Sequence, residues 1–183
     1  VFVGDGYKKL LERALAACGD SSLVHYEEAV ALYPEIFKGC CMYRVKAYDG
    51  ITKLLDFLKE NHIKTAVLSN KPHPRTLDNV EGVFGKGRFD LVYGEREDKG
   101  IKKKPAPDGV WALMEELGVG REEVLYLGDT NTDMRTGRNA QVDTVGVTWG
   151  FRDREELEAF HPKLIADHPM DVVRFIKDVN GIG

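Results

Sequence analysis

Two acidic residues in the last third of the chain follow a short apolar run and have the types and spacing for metal chemistry. The run Val124–Leu127 is followed by a glycine, then Asp129, and then Asp133 four residues later. An apolar run of this length that ends in turn-forming residues predicts a buried strand. Ligands of open α/β sheets bind at the carboxyl ends of the strands, and Mg²⁺ prefers oxygen ligands. Thr130 and Asp133 also fit a helix-capping pattern, which explains Asp133 but not Asp129.

A second polar group follows the apolar run that ends at Leu68. Ser69, Asn70 and Lys71 come at its end, directly before Pro72. The Ser69 hydroxyl and the backbone N–H groups after it could hold an anion such as phosphate. A simple turn is the alternative, because Ser and Asn favour turns and proline opens the next connection.

A third group is the lysine run that ends at Lys104, directly before Pro105. Proline restricts the residue before it to an extended or turn conformation, and a lysine fixed in this way can neutralise phosphate as a point charge. Lys102 and Lys103 are better explained as a solvated basic loop. In a parallel sheet the three groups would meet at one edge. A hydroxyl, a lysine and two carboxylates at that edge would suit phosphoryl transfer.

The elements that must position these side chains are predicted from the hydrophobic pattern. Residues 1–46 read as helical, with Pro34 expected to kink or divide the second helix. From residue 47 onward helices and strands alternate, which predicts an α/β, Rossmann-like, mostly parallel sheet. We therefore divide the chain into a helical unit, 1–46, and an α/β core, 47–183. The predicted helices are 5–18, 22–44, 51–61, 74–84, 107–117, 131–139 and 170–179, and the predicted strands are 63–69, 89–94, 124–128 and 142–147, with a short segment at 163–166.

Bulk composition excludes several classes of protein. The 183 residues carry a net charge of −4, so no nucleic-acid partner is expected. Three cysteines, two of them adjacent, suit neither a disulfide framework nor a zinc site, and a reducing cytoplasm is the expected compartment. No apolar run approaches the roughly 18 residues of a membrane span, so no membrane partner is expected.

The ordered set of motifs resembles the haloacid dehalogenase (HAD) superfamily, in its phosphoglycolate-phosphatase-like branch. The run 67–72 resembles the second family motif, the run 104–107 the third and the run 128–133 the fourth. The opening residues 3–15 resemble the α-helical cap of that branch. One departure is Gln141, which stands where the branch usually has glycine.

The resemblance implies a Mg²⁺-dependent phosphatase that acts on a small phosphorylated metabolite. Ser69 would bind the transferring phosphoryl group, with Asn70 beside it. Lys104 would neutralise the charge of the phosphoryl group and of the nucleophile. Asp129 would be a Mg²⁺ ligand, and Asp133 would complete or orient the metal site. The helical unit 1–46 would be a partial cap that closes over the substrate.

The first motif of the family, Asp-x-Asp-Gly-Thr, has no counterpart in the chain. Its two aspartates are the nucleophile and the general acid/base, and no Asp-x-Asp occurs in these 183 residues. The chain is therefore expected to be a fragment that lacks the first, central strand of the fold. The strands 63–68 and 124–128 would flank that strand, and they should lie about 10 Å apart, twice the normal spacing.

Three functions remain open from the sequence. The first is a phosphatase, with 2-phosphoglycolate as the leading substrate and a pyrophosphatase or a sugar-phosphate phosphatase as near alternatives. The second is an inactive remnant that still binds phosphate or metal. The third is a phospho-acceptor signalling domain, but there the acids precede the lysine, whereas here the order is Ser69, Lys104, Asp129.

Overall fold

Two helices open the chain and pack on each other. The computed structural model describes residue 2 and residues 6–182, with α1 at Tyr7–Ala17 and α2 at Tyr26–Cys40. Tyr7 stacks on Tyr33 with 4.7 Å between ring centroids. Tyr33 in turn stacks on Phe37 at 5.1 Å. This aromatic stack joins the two helices along one face.

The second helix differs from its prediction at both ends. It begins at Tyr26 instead of residue 22, because the Asp20 carboxylate accepts hydrogen bonds from the backbone N–H groups of Val24 and His25 and holds a turn there. It ends at Cys40, and residues 41–44 form a turn. Pro34 lies inside a continuous helix, so the expectation that it divides the helix is wrong.

Helices and strands alternate through the rest of the chain, as the pattern predicted. The helix α7 was not predicted, since its five residues are too few for a periodic signal. The elements in order are α3 (Ile51–Glu60), β1 (Ala66–Pro72), α4 (His73–Phe84), β2 (Leu91–Glu95), α5 (Asp108–Leu117), β3 (Leu125–Gly128), α6 (Asn131–Ala140), β4 (Asp143–Val147), α7 (Arg154–Glu158), β5 (Leu164–Ala166) and α8 (Pro169–Asn180).

The strands form two parallel sheets instead of one continuous sheet. β1 pairs with β2, and β3, β4 and β5 form the second sheet in that order. Within the described part of the chain β1 and β3 do not pair with each other. This agrees with the expectation that they do not share a ladder. The predicted α/β class with parallel sheets is confirmed.

Two apolar clusters hold the layers together. The larger joins Leu54 of α3 and Val172 of α8 to the buried face of β4, including Val145. The smaller surrounds Val110 and Ala140, the latter with none of its surface exposed. Leu68 of β1 and Tyr126 of β3 both pack against this second cluster. Helices α5 and α6 therefore connect the two sheets through shared side chains.

None of the helices in the described residues is both long enough and apolar enough to cross a membrane.

Candidate functional site

The first sequence-predicted group lies inside a strand. β1 continues to Pro72, whereas the prediction ended it at Ser69. Its ladder with β2 shifts register between Leu68 and Pro72, so the backbone is irregular there. The Ser69 hydroxyl accepts a hydrogen bond of 3.1 Å from the backbone N–H of Lys71. The hydroxyl is therefore held close to the backbone at the carboxyl end of β1.

The second feature is a clamp between Asn70 and the backbone of Lys104. The Lys104 N–H donates to Asn70 Oδ1 at 2.8 Å, and Asn70 Nδ2 donates to the Lys104 carbonyl at 2.9 Å. Both ends of the amide are used in this contact. Residues 34 positions apart are joined in this way, and the lysine backbone is fixed on both sides of its Cα.

The lysine side chain continues the chain of contacts to the third group. Lys104 Nζ lies 2.7 Å from Asp133 Oδ1. Asp133 stands in the first turn of α6, which directly follows β3. Contacts thus run from β1 through Lys104 to the helix after β3. Direct contacts thus bring Asn70, Lys104 and Asp133 together.

Both oxygens of Asp133 have protein partners. Besides Lys104, Oδ1 lies 3.3 Å from the Tyr126 hydroxyl, while Oδ2 accepts from the Thr130 hydroxyl at 2.6 Å and from the Thr130 N–H at 3.2 Å. The Thr130 hydroxyl in turn accepts from the Asp133 N–H at 3.2 Å, which completes the predicted helix cap. The capping role and the contact with Lys104 coexist in one carboxylate.

Sequence reasoning missed Tyr126. It lies on β3, three residues before Asp129, and its ring packs in the smaller apolar cluster while its hydroxyl reaches Asp133. The signal was a tyrosine inside an otherwise aliphatic strand, because a buried phenol needs a hydrogen-bond partner. Burial raises the pKa of Tyr126 above its ordinary value, although Lys104 acts against this. The phenol is therefore a neutral donor.

The ion pair is charged on both sides. Burial alone would lower the pKa of Lys104, but the charge of Asp133 and its hydrogen bond act against burial, and that pKa is raised. Burial likewise would raise the pKa of Asp133, yet Lys104 and the hydroxyls of Thr130 and Tyr126 hold it below the ordinary value. The two shifts agree in direction. The site therefore contains a permanent cation whose charge is balanced by one carboxylate.

Asp129 is set apart from this pair. Its Oδ2 accepts a hydrogen bond of 2.9 Å from the Phe151 N–H. Burial raises the pKa of Asp129, with the hydrogen bond from Phe151 acting against it and the charge of Asp133 adding to it. Among the described residues no cation forms an ion pair with Asp129, although the charge of Lys104 partly lowers its pKa.

Two glycines permit the close approach of the carboxylates. A Cβ on Gly150 would lie 2.1 Å from Asp129 Oδ2, and a Cβ on Gly128 would lie 2.1 Å from the Cβ of Asp133. Real Cβ atoms do not come this near to other atoms. Position 128 at the end of β3 and position 150 in the loop after β4 therefore have to be glycine if both aspartates are to keep their positions.

The donor set suits Mg²⁺ better than a cation that needs a full protein cage. In the part of the chain that the structure describes, no three His, Cys, Asp or Glu side chains gather into a metal site. Mg²⁺ usually keeps several waters and binds one or two carboxylates together with substrate phosphate. Asp129 is a half-buried carboxylate whose charge a cation would balance. Asp133 already has its charge balanced by Lys104. The residues present therefore fit Mg²⁺ held mainly by Asp129.

A parallel α/β fold with a hydroxyl, a clamped lysine and two carboxylates at strand ends defines a class of enzymes that handle phosphate. The comparison with known proteins agrees. The chain matches the haloacid dehalogenase-like hydrolase family over residues 7–147 and belongs to that family. The recognition made from the three motifs is confirmed.

Individual relatives identify the branch of the family to which the chain is most similar. A phosphoglycolate phosphatase of Colwellia psychrerythraea is 27% identical over 172 residues, which cover 91% of this chain and 74% of the relative. The pyrophosphatase PpaX of Listeria monocytogenes is 26% identical over 154 residues, covering 84% and 70% of the two chains. A crystal structure of a candidate phosphoglycolate phosphatase from Lactobacillus delbrueckii subsp. bulgaricus superposes with a TM-score of 0.86 at 30% identity, over 96% of this chain and 80% of that one. These similarities put the chain among the phosphatases of the family, in the phosphoglycolate-phosphatase-like branch.

Proposed function

We propose that the protein is a Mg²⁺-dependent phosphatase that hydrolyses a small phosphate monoester through an aspartyl-phosphate, with 2-phosphoglycolate as the leading substrate. One observation carries the proposal. Asn70 grips the Lys104 backbone and Asp133 holds its ammonium at 2.7 Å, so a permanent cation is fixed between the ends of β1 and β3. A preorganised cation of this kind stabilises the charge of a transferring phosphoryl group without reorganisation.

The two phosphate-binding roles are divided between a hydroxyl and the lysine. Ser69 would donate its hydroxyl to one phosphoryl oxygen, and Lys104 would neutralise the charge on the phosphoryl group and on the attacking carboxylate. Asn70 would support binding indirectly, because its amide is engaged by the Lys104 backbone. We therefore treat Asn70 as a positioning residue for Lys104.

The two aspartates would also have different tasks. Asp129 would hold Mg²⁺, which when bound would offset negative charge on the phosphoryl oxygens. Both oxygens of Asp133 already accept hydrogen bonds, so we propose that it orients the metal site through Lys104 and the helix cap. The partial burial of Asp129 supports this division, since a half-buried carboxylate without an ion-pair partner favours a cation.

Turnover needs a nucleophile that this chain does not supply at an Asp-x-Asp. We assign the activity to the gene product with that motif present, and we propose that these 183 residues alone bind phosphate and Mg²⁺ without hydrolysis. The position between β1 and β3, which do not pair with each other, is compatible with a further strand there.

The helical unit 1–46 would serve as a partial cap over the α/β core, 47–183, and exclude water from the reaction. We propose a small phosphorylated metabolite as the partner and the cytoplasm as the compartment. A pyrophosphatase is the second candidate, and the similarity to the PpaX protein of Listeria monocytogenes favours it.

The test is a turnover assay on the protein expressed from its own start codon. Release of phosphate from p-nitrophenyl phosphate and from 2-phosphoglycolate is measured with Mg²⁺ and with EDTA. We expect hydrolysis that EDTA abolishes and that Asp129→Asn lowers by about 100-fold or more. A protein that carries an Asp-x-Asp and hydrolyses neither compound with Mg²⁺ would refute the proposal. Faster hydrolysis of pyrophosphate than of both esters would favour the second candidate.

A further inference from the structure

Lys71 is a cation at the phosphate site that the proposed chemistry does not use. It follows Ser69 by two positions in β1, and its backbone N–H donates to the Ser69 hydroxyl. Lys71 is therefore a neighbour of the group proposed to bind the phosphoryl oxygens.

The side chain of Lys71 runs to the junction between the α/β core and the helical unit. Its ammonium lies over the ring of Phe37 in α2, 5.4 Å from the centroid, and donates to Asn79 Oδ1 in α4. Asn79 in turn donates from Nδ2 to the carbonyl of Cys41 at 2.7 Å. The ammonium is thus fixed by residues on both sides of the junction.

No carboxylate in the described ranges, 2 and 6–182, pairs with Lys71. The contrast with nearby lysines is plain: Lys103 lies 2.8 Å from Glu95, and Lys104 lies 2.7 Å from Asp133. Lys71 contacts an amide oxygen and an aromatic ring instead. Burial lowers the pKa of Lys71, and Cys41 acts against this. A half-buried cation without an anion is costly unless a ligand supplies the anion.

We propose that Lys71 determines specificity by binding a second acidic group of the substrate, so that the site selects phosphate monoesters that carry a carboxylate on the carbon next to the ester oxygen. The inference rests on the proposed function, because Ser69 and Lys104 have to hold the phosphoryl group first. A short acid is chosen because Lys71 follows Ser69 by only two positions, so the second acidic group has to lie close to the ester oxygen. A neutral tail would leave the ammonium of Lys71 without an anion.

Binding by this chain tests the inference without any need for turnover. Calorimetric titrations in the presence of Mg²⁺ measure the dissociation constants of 2-phosphoglycolate and of ethyl phosphate. Ethyl phosphate has the same ester linkage but a methyl group in place of the carboxylate. For the unchanged chain we expect 2-phosphoglycolate to bind more tightly by about 10- to 100-fold, the range of a hydrogen bond to a charged group. In Lys71→Met the ratio of the two dissociation constants should fall to about 1.

Two further variants serve as controls for the interpretation. Lys102→Met removes an exposed lysine from the nearby loop and should keep the full preference. Lys71→Arg retains the charge and should restore most of the preference lost in Lys71→Met, and circular dichroism checks that each variant is folded. A preference that persists in folded Lys71→Met, or that is absent in the unchanged chain, overturns the role of Lys71. Failure of the unchanged chain to bind either ester or inorganic phosphate overturns the proposed function as well.

Discussion

Lys104 Nζ lies 2.7 Å from Asp133 Oδ1, and solvent reaches only 14% of the lysine side chain and 7% of the aspartate side chain. The pair connects the loop before α5 with the first turn of α6. It also keeps a cation in a place where burial alone would disfavour one. A buried pair of this kind matters most when one partner is removed, because the other charge is then left without compensation.

Removal of either partner should therefore destabilise the fold strongly. Lys104→Met and Asp133→Asn should each lower the free energy of unfolding by about 3 kcal/mol. The double variant should lose less than the sum of the two, by about 2 kcal/mol. Urea denaturation of the four proteins measures this coupling. The exposed pair Arg154–Glu158 is the control and should show a coupling of about 0.5 kcal/mol or less. Equal coupling in the two pairs would contradict a buried, charged site pair.

The clamp on the Lys104 backbone gives a second prediction. Asn70→Ala should lower the free energy of unfolding by about 2 kcal/mol, because two hydrogen bonds of about 1 kcal/mol each are lost. Asn139→Ala is the matched control, since Asn139 is exposed and donates one bond of 2.8 Å to the Pro105 carbonyl in the same loop. It should change stability by no more than about 0.5 kcal/mol. A loss in the control as large as that in Asn70→Ala would refute the assignment of a clamp.

These two features mark how far the sequence could predict the site. The apolar runs and the turn residues after them predicted β1 and β3 and the edge at which Ser69, Lys104 and Asp129 would gather. The sequence could not predict which groups each of these side chains contacts. Whether the Asn70 amide faces an anion or the Lys104 backbone depends on the path of a loop 34 residues away, for which the local pattern holds no information. Tyr126 did leave a local signal, as a tyrosine in an aliphatic strand, but that signal does not identify Asp133 as its partner.

A substitution at Gly150 tests the site without changing any of the proposed ligand residues. Gly150→Ala would put a methyl group on the Asp129 carboxylate, so it should cost about 1–3 kcal/mol of stability and weaken Mg²⁺ binding. Gly39→Ala, within helix α2 and with no atom near the added methyl group, should instead stabilise by about 0.5–1 kcal/mol. Thermal unfolding with and without Mg²⁺ measures both. An unchanged response to Mg²⁺ in Gly150→Ala would contradict the role of Asp129.

The shifted pKa of Asp129 predicts a stability effect with an unusual sign. Because the folded protein raises this pKa above its ordinary value of 3.8, ionisation of Asp129 costs stability as the pH rises through the folded value. In EDTA, Asp129→Asn should therefore be more stable than the unchanged chain at pH 7, and the two should converge near pH 3. Urea denaturation across this pH range measures the difference.

Asp171 is the control of opposite sign. Its pKa is lowered, first by the backbone N–H of His168, so its stabilising effect is present above pH 3.8 and is lost on acidification. Asp171→Asn should accordingly be less stable than the unchanged chain at pH 7. If Asp129→Asn is also destabilising in EDTA at neutral pH, the charge of this half-buried carboxylate does not need a cation to balance it, and the proposed Mg²⁺ site would have to be abandoned.

The central claim is that side chains from three separate segments hold one phosphate beside one metal ion. A crystal structure of the chain grown with Mg²⁺ and tungstate, an inert phosphate analogue, tests it most directly. We expect the tungstate oxygens within about 2.7–3.2 Å of Ser69 Oγ and Lys104 Nζ, and Mg²⁺ about 2.1 Å from an oxygen of Asp129. An oxyanion bound elsewhere, with Ser69 and Lys104 left on opposite sides of an empty gap, would contradict the account.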